Sequence, residues 1–176
     1  MGSRMVRDVS EIYDRFAPQI YRYIYHRLGN LSLAEDLTGE VFVRFIRSAV
    51  SPENTVAYLY RSAHNLIVDH LRRNPNVLES LDERYSEERS DPARLVEVEA
   101  ERFRLRQAIA RLTPDQQQVI ILKFVEGFSN EEIGQVLGRP EGAVKALQHR
   151  ALVSLRVLLG AETRRDIRLE FAGLLE

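Results

Sequence analysis

Polar side chains that can hydrogen-bond to DNA are concentrated around residue 145 of this chain. Lys145, Gln148 and Arg150 occur close together, in a segment whose apolar residues recur at helical spacing. Lysine and arginine donate to phosphates, and glutamine and arginine also reach base edges in the major groove. Glu141, one turn earlier, either accepts from a cytosine amine or favours the positive end of its helix. These residues indicate a helix whose exposed side contacts DNA.

The preceding residues contain the signals that would position such a helix. Ser129 and Glu132 have the spacing of a capping box, which satisfies two amides at a helix start. Gly138 follows an apolar stripe (Ile133, Val136, Leu137) and suits a left-handed helix end, and Pro140 fits the first turn of the next helix. In that helix one face carries Val144, Leu147, Ala151 and Leu155, and another carries Glu141, Lys145, Gln148 and His149. The pattern is typical of a helix-turn-helix, although any helical hairpin also has two amphipathic helices.

Composition restricts the classes of function. The chain has 176 residues and no cysteine, which excludes disulfides, thiolate metal sites and cysteine catalysis. We find no nucleophile–base arrangement, phosphate-binding loop or metal cluster, so we expect no enzyme, no cofactor and no metal. No apolar run is long enough to span a membrane and no secretory leader opens the chain, so we expect a cytoplasmic protein. The first four residues look like an expression remnant before a natural start at Met5.

The acidic residues are unevenly distributed along the chain. Residues 75–97 hold 3 basic and 7 acidic side chains, a net charge of −4, while the whole chain has a net charge of −1. Helical periodicity fades from Asn74 to about Pro92, which indicates a flexible acidic linker. The segments on either side are mildly basic, which weakly supports contact with phosphates.

Helical patterns fill the rest of the sequence. The N-terminal part predicts helices from about Val9 to Leu28, from a capping box at Ser32 and Glu35, and from Ser51-Pro52 to Arg73. The apolar stripe of the second of these helices is Leu33, Leu37, Val41, Phe42, Phe45 and Ile46. After the linker, a helix is predicted from about Leu95 to Leu112, and Thr113 with Gln116 begins another through a capping box. The chain is therefore predicted to be all-α, with a three-helix bundle, an acidic linker and a four-helix domain.

The third predicted helix has two different faces. Its buried stripe consists of Leu59, Ala63, Leu66, Ile67 and Leu71, and the opposite side carries Tyr58, Arg61, Asn65, Asp69 and Arg72. An aromatic ring beside cations suits single-stranded nucleic acid, which stacks on rings and pairs its phosphates with cations. Taken alone, this face is better interpreted as an ordinary solvated helix surface. His64 and His70 are interpreted as packing or surface residues, since no carboxylate–histidine spacing supports a metal site.

Three segments together resemble the extracytoplasmic-function (ECF) group of bacterial sigma factors. They are AEDLTGEVFVRFI (34–46), AYLYRSAHNLIVDHLRR (57–73) and the helix-turn-helix, and the resemblance covers about residues 9–159. It implies an N-terminal sigma region 2 domain (5–74), a linker (75–97), a sigma region 4 domain (98–160) and a tail (161–176) with a possible short helix. It also implies promoter recognition and assistance in strand opening by RNA polymerase.

The resemblance implies a role for each candidate surface. Binding of the core polymerase, at its beta-prime clamp helices, is implied for Glu35, Asp36, Leu37, Glu40 and Phe42. Binding of the minus-ten promoter element is implied for Tyr58, Arg61, Asn65, Asp69, Arg72 and Arg73, with help from the loop 48–55. Binding of the minus-thirty-five element is implied for Arg139, Glu141, Gly142, Lys145, Gln148, His149 and Arg150. The implied partners are core polymerase, including its beta flap, promoter DNA, and an anti-sigma factor or other regulatory protein, with self-inhibition by domain packing as the alternative to such a regulator.

Several positions depart from the family pattern, among them Leu147-Gln148, where a basic-then-apolar pair is common. Tyr58 stands where tryptophan is frequent, Gly134 stands where alanine is usual, and Pro140 replaces a usual serine cap. The glycine is expected to cost about 1 kcal/mol of helix stability. The alternative function is a stand-alone helix-turn-helix regulator, which would bind duplex DNA tightly as a dimer.

Overall fold

The computed structural model describes residues 2–48, 52–74, 100 and 103–160. The chain divides into two units, Met1–Asp82 and Glu83–Glu176. All regular structure within the described ranges is helical, which confirms the all-α prediction. The predicted linker (75–97) and the predicted tail helix (161–176) lie outside the described residues. None of the helices described is both long and apolar enough to cross a membrane.

The described part of the first unit is a bundle of three helices. Helix α1 spans Gly2–Leu28, α2 spans Leu31–Arg47 and α3 spans Thr55–Arg73, with a short 3-10 turn at Pro52–Asn54 before α3. Each helix packs against both others. Helix α1 begins before the predicted Val9, and Pro52 belongs to the 3-10 turn, so α3 begins three residues later than the proline signal predicted.

The bundle core consists of one apolar stripe from each helix. Its largest fully buried side chains include Tyr23 of α1 and Tyr60 of α3, whose rings meet edge to face at 5.2 Å. The core residues are Ile20, Tyr23, Ile24, Leu28, Ala34, Leu37, Val41, Phe42, Phe45, Leu59, Tyr60, Ala63, Leu66 and Ile67. Ile46, which the sequence pattern placed on the apolar stripe, is 52% exposed.

The start of α2 corrects one capping prediction. The N-cap is Asn30, whose side-chain oxygen accepts from the amide of Leu33 at 3.0 Å. Gly29 adopts a left-handed φ of 62°, and the extended Asn30 leads directly into the helix. Ser32 therefore lies inside the first turn, and the predicted capping box between Ser32 and Glu35 is wrong.

Arg27 is the one charged side chain that is buried among the described residues. It lies in the last turn of α1, where a cation is favoured by the helix dipole. Its Nη1 lies 3.3 Å from the hydroxyl of Tyr23 and 3.4 Å from Nδ1 of His64. His64 therefore takes part in the packing of the bundle, one of the two roles inferred for it from sequence.

The second unit contains four helices within its described residues, 100 and 103–160. Helix α4 covers residues 103–110, α5 spans Pro114–Ile120 and continues as a π-helical turn at Ile121–Val125, α6 spans Asn130–Leu137 and α7 spans Glu141–Leu158. Thr113 and Gln116 form the predicted capping box before α5. The buried Gln117 donates to the carbonyls of Ala110 and Leu112, at 3.1 and 3.0 Å, and so connects the end of α4 to α5. The core is formed by Leu105, Ala108, Ile109, Leu112, Val119, Ile120, Ile121, Leu122, Ile133, Val136, Val144, Leu147, Ala151 and Leu155.

Candidate nucleic-acid and partner interfaces

The turn between α6 and α7 determines where the predicted reading helix points. Ser129 and Glu132 form the predicted capping box: the Ser129 hydroxyl accepts from the Glu132 amide, and a Glu132 carboxylate oxygen accepts from the Ser129 amide at 2.7 Å. These hydrogen bonds to Ser129 lower the pKa of Glu132. Gly138 adopts the predicted left-handed conformation, with φ 64° and ψ 36°, and ends α6. The start and end of this helix are confirmed.

Gly134 allows this turn to form. The sequence alone predicts only that the glycine would cost helix stability, and that expectation was incomplete. Its carbonyl accepts from the amides of Gly138 and, at 2.9 Å, of Arg139. A Cβ atom added at Gly134 would lie 2.7 Å from the carbonyl oxygen of Arg139. Because that oxygen belongs to the backbone, it can move away only if the turn itself shifts. The absence of a side chain therefore permits the close approach of the two segments.

Pro140 is the N-cap of α7, one residue before the helix begins at Glu141. The sequence had predicted it in the first turn of the helix. Its φ of −66° and ψ of 151° are those of extended backbone, and no side chain caps the helix. Its carbonyl accepts from the amides of Ala143 and Val144, at 2.9 and 3.2 Å. The first turn of α7 therefore keeps amide groups that no side chain caps, close to the exposed Glu141 and Gly142.

Helix α7 presents the predicted two faces. All four predicted apolar residues are buried, and Arg139, Glu141, Gly142, Lys145, His149 and Arg150 are exposed, with Gln148 half-buried. The Lys145 ammonium lies 2.8 Å from the Glu141 carboxylate in an exposed pair. Exposed pairs of this kind contribute little to stability, so Lys145 can exchange this partner for a phosphate or a base at small cost.

Arg139 has a partner that the sequence did not indicate. Its guanidinium forms an ion pair with the carboxylate of Asp115, at the start of α5. Both side chains are about 40% exposed. The pair joins the turn of the helix-turn-helix to α5 and restricts the position of Arg139, while other nitrogens of its guanidinium fork can still donate.

The predicted DNA face of α3 is present but is more constrained than the sequence suggested. Arg61, Asn65, Arg72 and Arg73 are exposed, whereas Tyr58 and Asp69 are half-buried. The Tyr58 hydroxyl donates to the carbonyl of Arg44 at 3.2 Å, and its ring lies 6.0 Å from that of Phe45. Arg72 donates to Asp69 at 3.2 Å. The aromatic ring is thus packed against the end of α2 and does not project freely.

The acidic face of α2, defined here as Glu35, Asp36 and Glu40, is exposed. Glu40 forms an exposed ion pair with Arg44 at 2.6 Å. Leu37 and Phe42 are 8% and 3% exposed and belong to the bundle core. Their side chains therefore position the acidic face, and their predicted contact with core polymerase stays a prediction.

Two apolar residues beside the acidic face were missed as candidate contact residues. Val43 is 45% exposed and Ile46 is 52% exposed on the same helix. Apolar side chains rimmed by charges are typical of protein interaction surfaces. The signal was present in the sequence, since position 43 does not fit the stripe that contains Val41, Phe42 and Phe45.

Both units match families of known proteins. The family model for Sigma-70 region 2 matches residues 12–76, and that for Sigma-70, region 4 matches residues 102–155. The chain is 36% identical to the ECF RNA polymerase sigma factor BldN of Streptomyces coelicolor, over 87% of this chain and 61% of the relative. It is 31% identical to the ECF RNA polymerase sigma factor SigL of Mycobacterium tuberculosis, over 84% of this chain and 86% of the relative.

These similarities show that the chain belongs to the ECF sigma factor family. It spans only about three fifths of the length of the Streptomyces relative. Among solved structures, it is similar to the sigma factor RpoE of Bartonella quintana, which was crystallised in complex with the anti-sigma factor NepR. The TM-score is 0.60 at 20% identity, over 90% of this chain and 99% of that chain, which supports the fold.

Proposed function

We propose that this chain is a dissociable subunit of RNA polymerase that directs the core enzyme to specific promoters and assists strand opening. The observation that carries the proposal is the presence of both sigma regions in order along one chain. A stand-alone regulator of duplex DNA does not require the first region. The chain performs no covalent chemistry in this role, and it acts in the cytoplasm, where the core enzyme works.

The proposed contacts with core polymerase lie on the acidic face of α2 and on the neighbouring Val43 and Ile46. Carboxylates beside exposed apolar side chains combine charge steering with an area that can be desolvated. The beta-prime clamp helices are the proposed partner of this surface, and the beta flap is the proposed partner of the second unit.

The two proposed promoter contacts have different chemistry. The exposed cations and the packed ring of Tyr58 on α3 suit a separated strand, whose bases stack and whose phosphates pair with cations. The exposed residues at the start of α7 suit the major groove of duplex DNA. We therefore assign the minus-ten element to Tyr58, Arg61, Asn65, Asp69, Arg72 and Arg73. We assign the minus-thirty-five element to Arg139, Glu141, Gly142, Lys145, Gln148, His149 and Arg150.

The proposed division of the chain follows these assignments: residues 5–74 for core and minus-ten binding, 75–97 as linker, 98–160 for minus-thirty-five binding and 161–176 as a tail. An anti-sigma factor is proposed as a regulatory partner, because the related sigma factor of Bartonella quintana binds one.

Run-off transcription with purified core polymerase tests the proposal. We expect specific transcripts only when the chain is added, and selection of active promoters from a random library should return two conserved elements. Tight binding of duplex DNA as a dimer on a palindrome, without any binding to core, would instead support the stand-alone regulator.

A further inference from the structure

A groove lies between α1 and α2 in the first unit. It has a volume of about 330 Å³. Its lining residues are Tyr13, Asp14, Ala17, Pro18, Tyr21, Glu35 and Thr38. Glu35 also belongs to the acidic face of α2, so the groove opens directly beside the surface proposed to contact core polymerase.

Two carboxylates of the groove lack a basic partner within the described residues. Asp14 and Glu35 are exposed, and neither forms an ion pair with an arginine or lysine of the described ranges. Glu40, one helical turn beyond Asp36, differs because Arg44 neutralises it. Arg15, next to Asp14 in sequence, lies over the ring of Phe16 at 5.1 Å from its centroid. The groove therefore carries negative charge that these helices leave uncompensated.

A proline of α1 also lines the groove. Pro18 lies inside α1 and has no N–H group, so the carbonyl of Asp14 lacks its ordinary helical donor. The hydroxyl of Thr38, on the other wall, donates to the carbonyl of Ala34 at 2.6 Å, so its proton is not available to the groove. The lining thus offers several acceptors for a ligand that brings its own donors.

Two tyrosine rings accompany these acceptors. Tyr13 is 47% exposed and packs edge to face on Phe42, at 4.8 Å between ring centroids. Tyr21 is stacked parallel to Tyr25 at 6.2 Å. Burial, and then the carboxylate of Glu35 and the neighbouring Tyr25, raise the pKa of the Tyr21 hydroxyl. Rings held in fixed positions next to carboxylates are suited to a planar cation.

We propose that the groove between α1 and α2 accepts an arginine side chain of the RNA polymerase core, held by Asp14, Glu35 and the ring of Tyr13. A guanidinium has five donors in a plane and stacks on aromatic faces, so it matches separated acceptors beside a ring. A lysine ammonium is a compact charge and matches the carboxylates but not the stacking surface. This inference rests on the proposed function and adds α1 to the docking surface.

The test is the equilibrium affinity of the full chain for purified core polymerase, measured by fluorescence anisotropy. Asp14→Asn and Glu35→Gln keep the shape of each side chain and remove its charge, so each should weaken binding roughly tenfold, as expected for a charge-assisted hydrogen bond. Tyr13→Leu should weaken it about threefold through loss of the ring face. Glu11→Gln is the matched control, because Glu11 is an exposed carboxylate of α1 outside the groove. It should bind like the wild type.

A photo-crosslinker in place of Tyr13 provides a second measurement. The peptide of core polymerase that it crosslinks should contain an arginine. A crosslinked peptide without an arginine would overturn the proposal. Wild-type affinity for both Asp14→Asn and Glu35→Gln, together with weakened binding by Asp36→Asn, would overturn the groove proposal and leave the proposed function intact. A wild-type chain that does not bind core at all would overturn both. Circular dichroism of each variant checks that the bundle remains folded.

Discussion

The two candidate DNA-contacting helices are held in position by different means. Helix α7 follows a turn in which backbone groups of Gly134 and Arg139 approach each other closely, with a left-handed Gly138 between them. The aromatic residue of α3 is held by its side chain, through a hydrogen bond to the carbonyl of Arg44 and a ring contact with Phe45. A Cβ atom added at Gly134 would meet backbone, which moves only with the turn, whereas side-chain packing can be altered in steps. We therefore expect the second unit to respond more sharply to small substitutions.

Gly134→Ala should have the largest effect, because the new Cβ would meet the Arg139 carbonyl oxygen at 2.7 Å. We expect a loss of about 1–3 kcal/mol in the free energy of unfolding of the second unit, as for other overpacked sites. Hydrogen exchange of α6 and α7 measures this loss. Gly142→Ala is the stability control, since an added Cβ there meets nothing within 4 Å, and it should leave stability equal or higher. If the amides of α6 and α7 exchanged as slowly in Gly134→Ala as in the wild type, the turn would accommodate the added Cβ atom without loss of stability.

Lys145→Ala and Gln148→Ala test the reading surface itself, without changing the turn. Each should cost about 1–3 kcal/mol if it removes a base contact, which corresponds to a loss of roughly fivefold or more in transcription from promoters with the upstream element. Arg156→Ala removes an exposed charge from the other end of α7 and serves as the control. An equal loss on promoters without the upstream element would remove both residues from the reading surface.

Tyr58→Phe and Tyr58→Leu separate the two contacts that hold the α3 ring. The first removes only the hydrogen bond to Arg44, so the bundle should lose at most about 1 kcal/mol. The second also removes the ring, and strand opening, followed by 2-aminopurine fluorescence in the minus-ten element, should then fall further. Equal strand opening in both variants would show that the ring does not stack on a base.

Asp115→Asn should have a smaller effect, because the pair with Arg139 is exposed and such pairs contribute about 0.2–1 kcal/mol. We expect the affinity for the upstream element to fall by no more than about fivefold, since Arg139 loses its fixed position. The measurement is promoter binding by the holoenzyme over a range of salt concentrations. Glu131→Gln, an exposed carboxylate in the first turn of α6, is the control. Tighter binding by Asp115→Asn would mean that Asp115 competes with DNA for Arg139.

The smallest effect should be a pH dependence of the second unit. The hydrogen bonds from Ser129 lower the pKa of Glu132 in the folded chain below its ordinary value of 4.5. The capping box therefore stabilises α6 fully above pH 4.5, and this contribution is lost as the pH falls through the lowered folded value. Glu132→Gln should reduce this acid dependence, measured by thermal unfolding between pH 3 and pH 6. If Glu132→Gln left the acid dependence of thermal unfolding unchanged, other carboxylates would be responsible for that dependence.

Much of the helical framework was predictable because it depends on neighbours in sequence. The capping boxes at Thr113 and Ser129, the helix end at Gly138 and the buried stripe of α7 follow from residues three or four positions apart. The error at Ser32 arose because Asn30 offered a competing cap two residues earlier. Ile46 was misassigned because a helical stripe has no sharp edge, and only the packing of the bundle decides which flanking residue is buried.

By itself, the sequence determined the all-α class, the order of the helices and the family, since these depend on local periodicity and on motifs that remain in register along the chain. Tertiary structure decided which motif residues are accessible: Leu37 and Phe42 are buried, and Arg139 is paired with a carboxylate 24 residues away. It also decided that a side chain at Gly134 would meet the backbone of Arg139 and that α1 and α2 form a groove lined by Asp14 and Glu35. The physical reason is that such contacts join segments whose meeting depends on the packing of whole helices, which no local pattern specifies.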